Sequence, residues 1–179
     1  MQRPPNNISL PELARLAVEK FVMHGETLEP PLDVQGTLSE SAGVFVTLRT
    51  MDGQLRGCIG TIEPARSTVA EEVIQNAISA ATRDSRFAPV ARHELAGLRY
   101  GVDVLERPEP ARGPEDLDAA RYGVIIETLD GSRRGLLLPR IEGIETVEDQ
   151  WQAVHLKAGI PPGVPVRVER FTVARFGKD

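Results

Sequence analysis

Cysteine and aromatic side chains are scarce in this 179-residue sequence. Cys58 is its single cysteine, which excludes an intramolecular disulfide framework and a cysteine-rich zinc site. Such cysteine usage is typical of a reducing compartment, so we expect a cytoplasmic location. Aromatic residues make up 4% of the chain, which leaves few platforms on which the bases of single-stranded nucleic acid could stack.

An excess of positive charge and long apolar runs are also missing. Asp and Glu outnumber Lys and Arg by 26 to 21, which gives a formal net charge of −5. Because binding to phosphate backbones needs clustered Lys and Arg, this balance disfavours nucleic acid as a partner. No apolar run approaches the length of a membrane span, and the first residues lack the apolar core of a secretory signal. We therefore expect no membrane partner.

Three stretches of the sequence have the apolar periodicity of helices. The first begins at a capping-box pattern formed by Ser9 and Glu12. The second is capped by Ser67 or Thr68, and the third covers about residues 146–158.

Strands are predicted between these helices. Two hairpins are indicated, the first with its turn at Asp52-Gly53, a dipeptide that suits a two-residue type I′ turn. In the last strand the apolar phase slips between Val168 and Phe171, which predicts a bulge or a change of face. Since hairpins require antiparallel pairing, we predict an α+β fold with an antiparallel sheet flanked by about three main helices.

The heptapeptide LRGCIGT, residues 55–61, is the strongest candidate for a functional site. The predicted turn places Thr47 opposite Cys58 and Arg49 opposite Arg56, on the face that is not apolar. Like charges directly opposite each other are unfavourable, so we expect water, a carboxylate of the protein or a bound anion to compensate the arginines. Nearby cations also favour the thiolate form of a cysteine, which is the nucleophilic form.

Cys58 supports two interpretations, and the sequence leaves both open. In one, it is a thiolate nucleophile, Arg56 stabilises it or orients an anionic substrate, and the amides of Gly57 and Gly60 help to position that substrate. In the other, Cys58 only packs, as a lone cysteine usually does, and the heptapeptide forms a surface that recognises a partner protein or a small molecule.

Arg86 is a further candidate, in the loop that follows the second predicted helix. It could bind an anion or hold Asp84 locally. The spacing of the histidines does not suggest metal ligands, and we predict no metal site. The predicted residues for binding a substrate or partner are Arg49, Arg56, Gly57, Gly60, Thr61 and Arg86.

LRGCIGT resembles the signature of the AMMECR domain family. The resemblance continues in the segments AATRDSRFAPV, RGLLLPRI, LKAGI and VERFTVARF, and it covers most of residues 10–176. It implies a compact α+β domain with an antiparallel sheet and a smaller subdomain. We expect residues 9–179 to form a single domain of this type, and residues 1–8 to be a disordered lead-in.

The resemblance also implies partners. Prokaryotic members, called protein A of the AmmeMemoRadiSam system, occur alongside a Memo-type protein similar to extradiol dioxygenases and a radical S-adenosylmethionine enzyme. We therefore expect a component of a modification system that binds no cofactor directly, with S-adenosylmethionine and an iron–sulfur cluster held by a partner. Ser85 stands where the family usually has proline, and His155 where many members have cysteine.

Overall fold

The computed structural model describes residues 3–177, which form two compact units. One unit comprises the chain up to Val104 together with the segment that starts at Ala174, and the other comprises Leu105–Val173. Positions 1 and 2 of the predicted lead-in, and positions 178 and 179 of the predicted domain, lie outside the described residues. Ile8, at the end of that lead-in, is buried in the core of the first unit.

Within the described residues the chain forms three α-helices and eight strands, joined by turns and short 3₁₀ segments. In chain order the elements are α1 (Leu10–His24), β1 (Val44–Thr50), β2 (Leu55–Gly60), α2 (Val69–Thr82), β3 (Leu98–Leu105), β4 (Glu109–Ala111), β5 (Gly123–Thr128), β6 (Arg134–Leu137), α3 (Val147–Ala158), β7 (Val166–Phe171) and β8 (Val173–Phe176). The strands make two antiparallel four-stranded sheets, in the orders β2-β1-β3-β8 and β4-β7-β5-β6. The predicted α+β class is confirmed.

Each helix begins at a side-chain cap. The Ser9 hydroxyl accepts the amide hydrogen of Glu12 at 3.4 Å, while the Glu12 carboxylate pairs with Arg15. Thr68 and Thr146 form complete capping boxes at the starts of α2 and α3. These caps satisfy amide hydrogens that have no partner inside the helix. The predicted helix positions are confirmed to within a few residues.

In the first unit the helices cover one face of the sheet. α2 packs on β1 and β2, and α1 packs on α2. The β1 residues that point to the helices, Val46 and Leu48, are fully buried, and so is Val73 of α2. Burying such a side chain stabilises the fold by about 1.5–3 kcal/mol. Because side chains alternate along a strand, Thr47 and its neighbours at every second position lie on the other face.

The second unit packs α3 on one face of its sheet, around Val124, Ile126 and Val154. Residues 107–116 are rich in proline, yet they contain β4, which pairs with β7. β7 pairs regularly with β5 from Val166 to Phe171, so the phase slip between Val168 and Phe171 is a change of face within one strand and not a bulge. β7 ends at Phe171, and β8, which begins two residues later, belongs to the other sheet.

Candidate functional site

The hairpin of β1 and β2 positions the heptapeptide. The predicted register is confirmed for four pairs and wrong nearer the turn, where Arg49 lies opposite Leu55 and not opposite Arg56. The four confirmed pairs are Phe45 with Gly60, Val46 with Ile59, Thr47 with Cys58 and Leu48 with Gly57.

The turn explains this mixed outcome. The Thr50 amide donates to the Gln54 carbonyl at 2.9 Å, so the loop has three residues, 51–53, and not the predicted two. Gly53 takes the left-handed conformation with φ of 87°, as in a three-residue hairpin with a bulge. This longer loop shifts the register by one residue. The extra residue Arg56 shifts it back, so the pairs beyond the bulge agree with the prediction.

Arg56 is neutralised by a carboxylate. Its guanidinium donates to both oxygens of Glu94, at 2.8 and 3.0 Å, and its side chain is only 15% exposed. The Glu94 carboxylate also accepts the amide hydrogen of Ala91 at 2.7 Å. Arg56 first and the Ala91 amide second lower the pKa of Glu94. Of the three kinds of compensation considered for this arginine, the protein provides the carboxylate.

Cys58 is half-buried, and its backbone is held more firmly than its thiol. Within residues 3–177 its sulfur has one hydrogen-bond partner, the hydroxyl of Thr47 at 3.3 Å. Its amide donates to the Asp84 carboxylate at 2.9 Å, and its carbonyl accepts from Arg86 at 3.5 Å. β2 is an edge strand, whose outer amides and carbonyls lack a neighbouring strand. Asp84 and Arg86 therefore take the place of that strand at Cys58.

Asp84 and Arg86 form a closely hydrogen-bonded pair. The Arg86 guanidinium donates to Oδ1 at 2.9 Å and to Oδ2 at 2.7 Å, and its backbone amide adds a bond of 3.1 Å to Oδ1. The Asp84 side chain is 5% exposed, whereas that of Arg86 is 54% exposed. Arg86 chiefly, helped by the Cys58 amide, holds the pKa of Asp84 far below its usual value. Asp84 in turn raises the pKa of Arg86, with a smaller contribution from Cys58.

Three residues of this site, Asp84, Glu94 and Phe87, were not among the predicted ones. The sequence suggested Asp84 only as a residue that Arg86 might hold. Its position two residues after the end of α2 was a usable signal for a site residue. The Phe87 ring is near both ion pairs, with the guanidinium carbons of Arg56 and Arg86 at 5.8 and 5.5 Å from its centroid. It joins the two pairs through cation–π contacts.

The glycines of the heptapeptide allow close packing. A Cβ on Gly57 would lie 2.2 Å from the carbonyl oxygen of Ala80 in α2, which no real side chain tolerates. A Cβ on Gly60 would lie 2.3 Å from the ring of Phe45. Gly57 thus lets a helix approach the strand, and Gly60 makes room for an aromatic ring of the neighbouring strand.

Thr61 points into a buried polar cluster under α2. Its hydroxyl donates to Glu72 at 3.0 Å and accepts from the side-chain amide of Asn76 at 3.2 Å. Asn76 also donates to the carbonyl of Val44 at 2.9 Å. The structure therefore brings Cys58, Arg56 and Arg86 together and places Thr61 with the helix.

Three further observations bear on function. Among the described residues, no helix has the length and apolar character to cross a membrane, and no three His, Cys, Asp or Glu side chains are grouped to hold a metal ion. A cavity of about 370 Å³ lies in the second unit, lined by residues of β4, β5 and β7. None of the predicted site residues lines it.

Comparison with known proteins gives consistent matches over nearly the whole chain. Residues 11–177 match the family model AMMECR1. A Thermotoga maritima protein is 48% identical over 161 residues, covering 89% of this chain and 91% of that protein. A Clostridium acetobutylicum protein is 42% identical over 92% of this chain, which spans only 35% of that longer protein. The crystal structure of an uncharacterised Pyrococcus horikoshii protein aligns with a TM-score of 0.85 and 35% identity, covering 95% of this chain and 90% of that chain.

Proposed function

The chain belongs to the AMMECR1 family, and on that premise we propose that it is the recognition component of a modification system. Its partners in this proposal are a Memo-type, dioxygenase-like protein and a radical S-adenosylmethionine enzyme, which holds the S-adenosylmethionine and the iron–sulfur cluster. The recognition surface consists of Thr47, Cys58, Arg86 and Phe87, and we refer to it as the Cys58 surface.

The hydrogen bonding of the Cys58 thiol carries this proposal. A nucleophilic cysteine is commonly activated by an adjacent base, but the partner of this sulfur is the Thr47 hydroxyl, which is not a base. The arginines beside it are engaged in ion pairs with Asp84 and Glu94. Binding needs only a rigid surface of fixed shape, and the contacts between these side chains provide one.

The Clostridium acetobutylicum relative adds support. Since this chain covers 35% of that protein, the same domain is joined there to a larger stretch of other sequence. Domains joined in one chain meet at high effective concentration, an arrangement that suits components acting together. The organisation of this relative is therefore consistent with a domain that works with other components.

Association of the three purified proteins tests the proposal. We expect this protein to bind the Memo-type protein or the radical enzyme, and we expect Arg86→Gln and Phe87→Ala to weaken binding about tenfold, which corresponds to about 1.4 kcal/mol. Cys58→Ala should bind almost as well as the native protein. Arg92→Gln is the matched control, because Arg92 is also exposed in the first unit. Absence of association, or association that ignores both surface variants while their folds are intact, would contradict the proposal.

A cysteine-dependent enzyme is the second candidate, favoured by one observation. Cys58 is not enclosed, and it lies close to Arg86, whose guanidinium donates a hydrogen bond of 3.5 Å to its carbonyl. The same reconstituted system separates the two candidates through its rate of S-adenosylmethionine consumption. Full activity of both Cys58→Ser and Cys58→Ala excludes a covalent role, whereas loss of activity in both with association intact supports one.

A further inference from the structure

Two arginines lie side by side on the face of the first-unit sheet that the helices leave uncovered. Arg49 of β1 and Arg99 of β3 are directly opposite each other in the antiparallel register. Arg49 is half-buried and Arg99 is exposed. Residues at opposed positions have Cβ atoms only about 4.5–5.5 Å apart, so the two side chains leave the sheet as neighbours.

Among the described residues, these two positive charges have no carboxylate partner. The Arg49 guanidinium donates to the Gly53 carbonyl at 2.9 Å, and over residues 3–177 neither arginine forms an ion pair. Some other arginines of the first unit form ion pairs, such as Arg175, whose guanidinium lies 2.7 Å from Asp103 on the same uncovered face. The pair therefore leaves a local surplus of two positive charges, and like charges opposed across a sheet are destabilising.

The sheet beside this pair is open. Gly101, two residues after Arg99 on β3, lies opposite Thr47 in the register, and a Cβ added to it would meet no atom within 4 Å. Thr47 is in turn hydrogen-bonded to the sulfur of Cys58. Between the two arginines and Cys58, this face of the sheet therefore carries small side chains that the helices do not cover.

We propose that Arg49 and Arg99 bind the phosphate group of a small-molecule phosphate monoester, whose remainder lies over Gly101 towards Cys58. A phosphate monoester carries close to two negative charges at neutral pH, which matches the surplus, whereas a carboxylate carries one. Guanidinium groups also present several N–H donors in a geometry that suits phosphate oxygens. This inference rests on the proposed function, because it names the ligand class of a surface that includes Cys58.

Titration with inorganic phosphate at constant ionic strength, followed by amide NMR, tests the site. In the native protein we expect saturable shifts at Thr47, Cys58 and Gly101, with binding at least tenfold weaker in Arg49→Gln and Arg99→Gln. Arg92→Gln removes an exposed arginine from a 3₁₀ segment of the same unit and should bind like the native protein. Because the phosphate dianion is protonated as the pH falls from 8 to 5, binding should weaken over this range.

Stability gives an independent measurement. Without phosphate, Arg99→Gln should raise Tm because it removes a like-charge contact. Phosphate should then raise the Tm of the native protein more than that of the variant. Amide NMR shifts that rise linearly with phosphate concentration and are equal in the native protein and the three variants would overturn the site. Acetate binding as tightly as phosphate would overturn the assignment of the ligand as a dianion. If the native protein associates with its partners but does not bind phosphate, this inference alone is contradicted. If it binds phosphate but does not associate with its partners, the proposed function alone is contradicted.

Discussion

At the scale of single residues, Asp84 organises the candidate site although its side chain is almost completely buried. One carboxylate accepts hydrogen bonds from the Cys58 amide and from both the backbone and the side chain of Arg86. A buried charge is costly unless it is paired in this way. Asp84 is therefore a positioning residue, which fixes where the Cys58 backbone and the exposed part of Arg86 lie.

Asp84→Asn should destabilise the protein and loosen β2 at Cys58. Hydrogen bonds to a charged group contribute about 1.5–3 kcal/mol each, so we expect the free energy of unfolding to fall by about 2 kcal/mol. Urea denaturation measures this loss, and amide hydrogen exchange at Cys58 should become faster. Asp33→Asn is the control, since Asp33 is exposed. A loss below about 0.5 kcal/mol, the range of an ordinary surface substitution, would show that the pair is not structural.

At the scale of elements, β2 is fixed from two directions. Its inner face lies against α2, where the absence of a side chain at Gly57 lets the carbonyl of Ala80 approach. Its outer edge is closed at Cys58 by Asp84 and Arg86, residues of the loop that follows α2. The helix and its following loop therefore act together on one strand, which explains why LRGCIGT and the Asp84–Arg86 loop form one site.

Gly57→Ala should be strongly destabilising, whereas Gly101→Ala should be nearly neutral. The added Cβ would lie 2.2 Å from a backbone oxygen in the first case and would meet no atom within 4 Å in the second. Overpacking of this kind costs about 1–3 kcal/mol, and a backbone neighbour cannot move aside as a side-chain tip can. Thermal unfolding of the two variants gives the comparison. Equal stabilities would mean that β2 and α2 are not so closely packed.

At the scale of the whole molecule, every carboxyl group with a shifted pKa among the described residues is shifted downwards. In the first unit Asp84 and Glu94 are lowered by Arg86 and Arg56, and Glu12 is lowered by Arg15. A lowered pKa in the folded state means that the charged form is stabilised by folding. That contribution is fully present above the unfolded values of 3.8 and 4.5 and is lost as pH falls through the lower folded values.

The protein should accordingly lose stability in acid. We expect the free energy of unfolding, measured by urea denaturation, to stay nearly constant from pH 7 to about 5 and to fall steadily below that. The doubly substituted protein with Asp84→Asn and Glu94→Gln should start from a lower value and show a smaller fall. If the native protein and this variant lose the same free energy between pH 5 and pH 3, the two ion pairs are not the cause.

The sequence by itself determined the α+β class, the helix positions and most of the hairpin register, because caps, apolar periodicity and turn residues act over a few neighbouring positions. It also identified LRGCIGT and Arg86 as candidates. Only the tertiary structure decided how the charges are paired. Arg56 meets Glu94 across 38 positions and the Cys58 amide meets Asp84 across 26, and such distant partners leave no local pattern. The three-residue loop placed Arg49 opposite Leu55 on β2, and the one-residue bulge left Arg56 without an opposite residue, changes that the turn dipeptide alone did not predict.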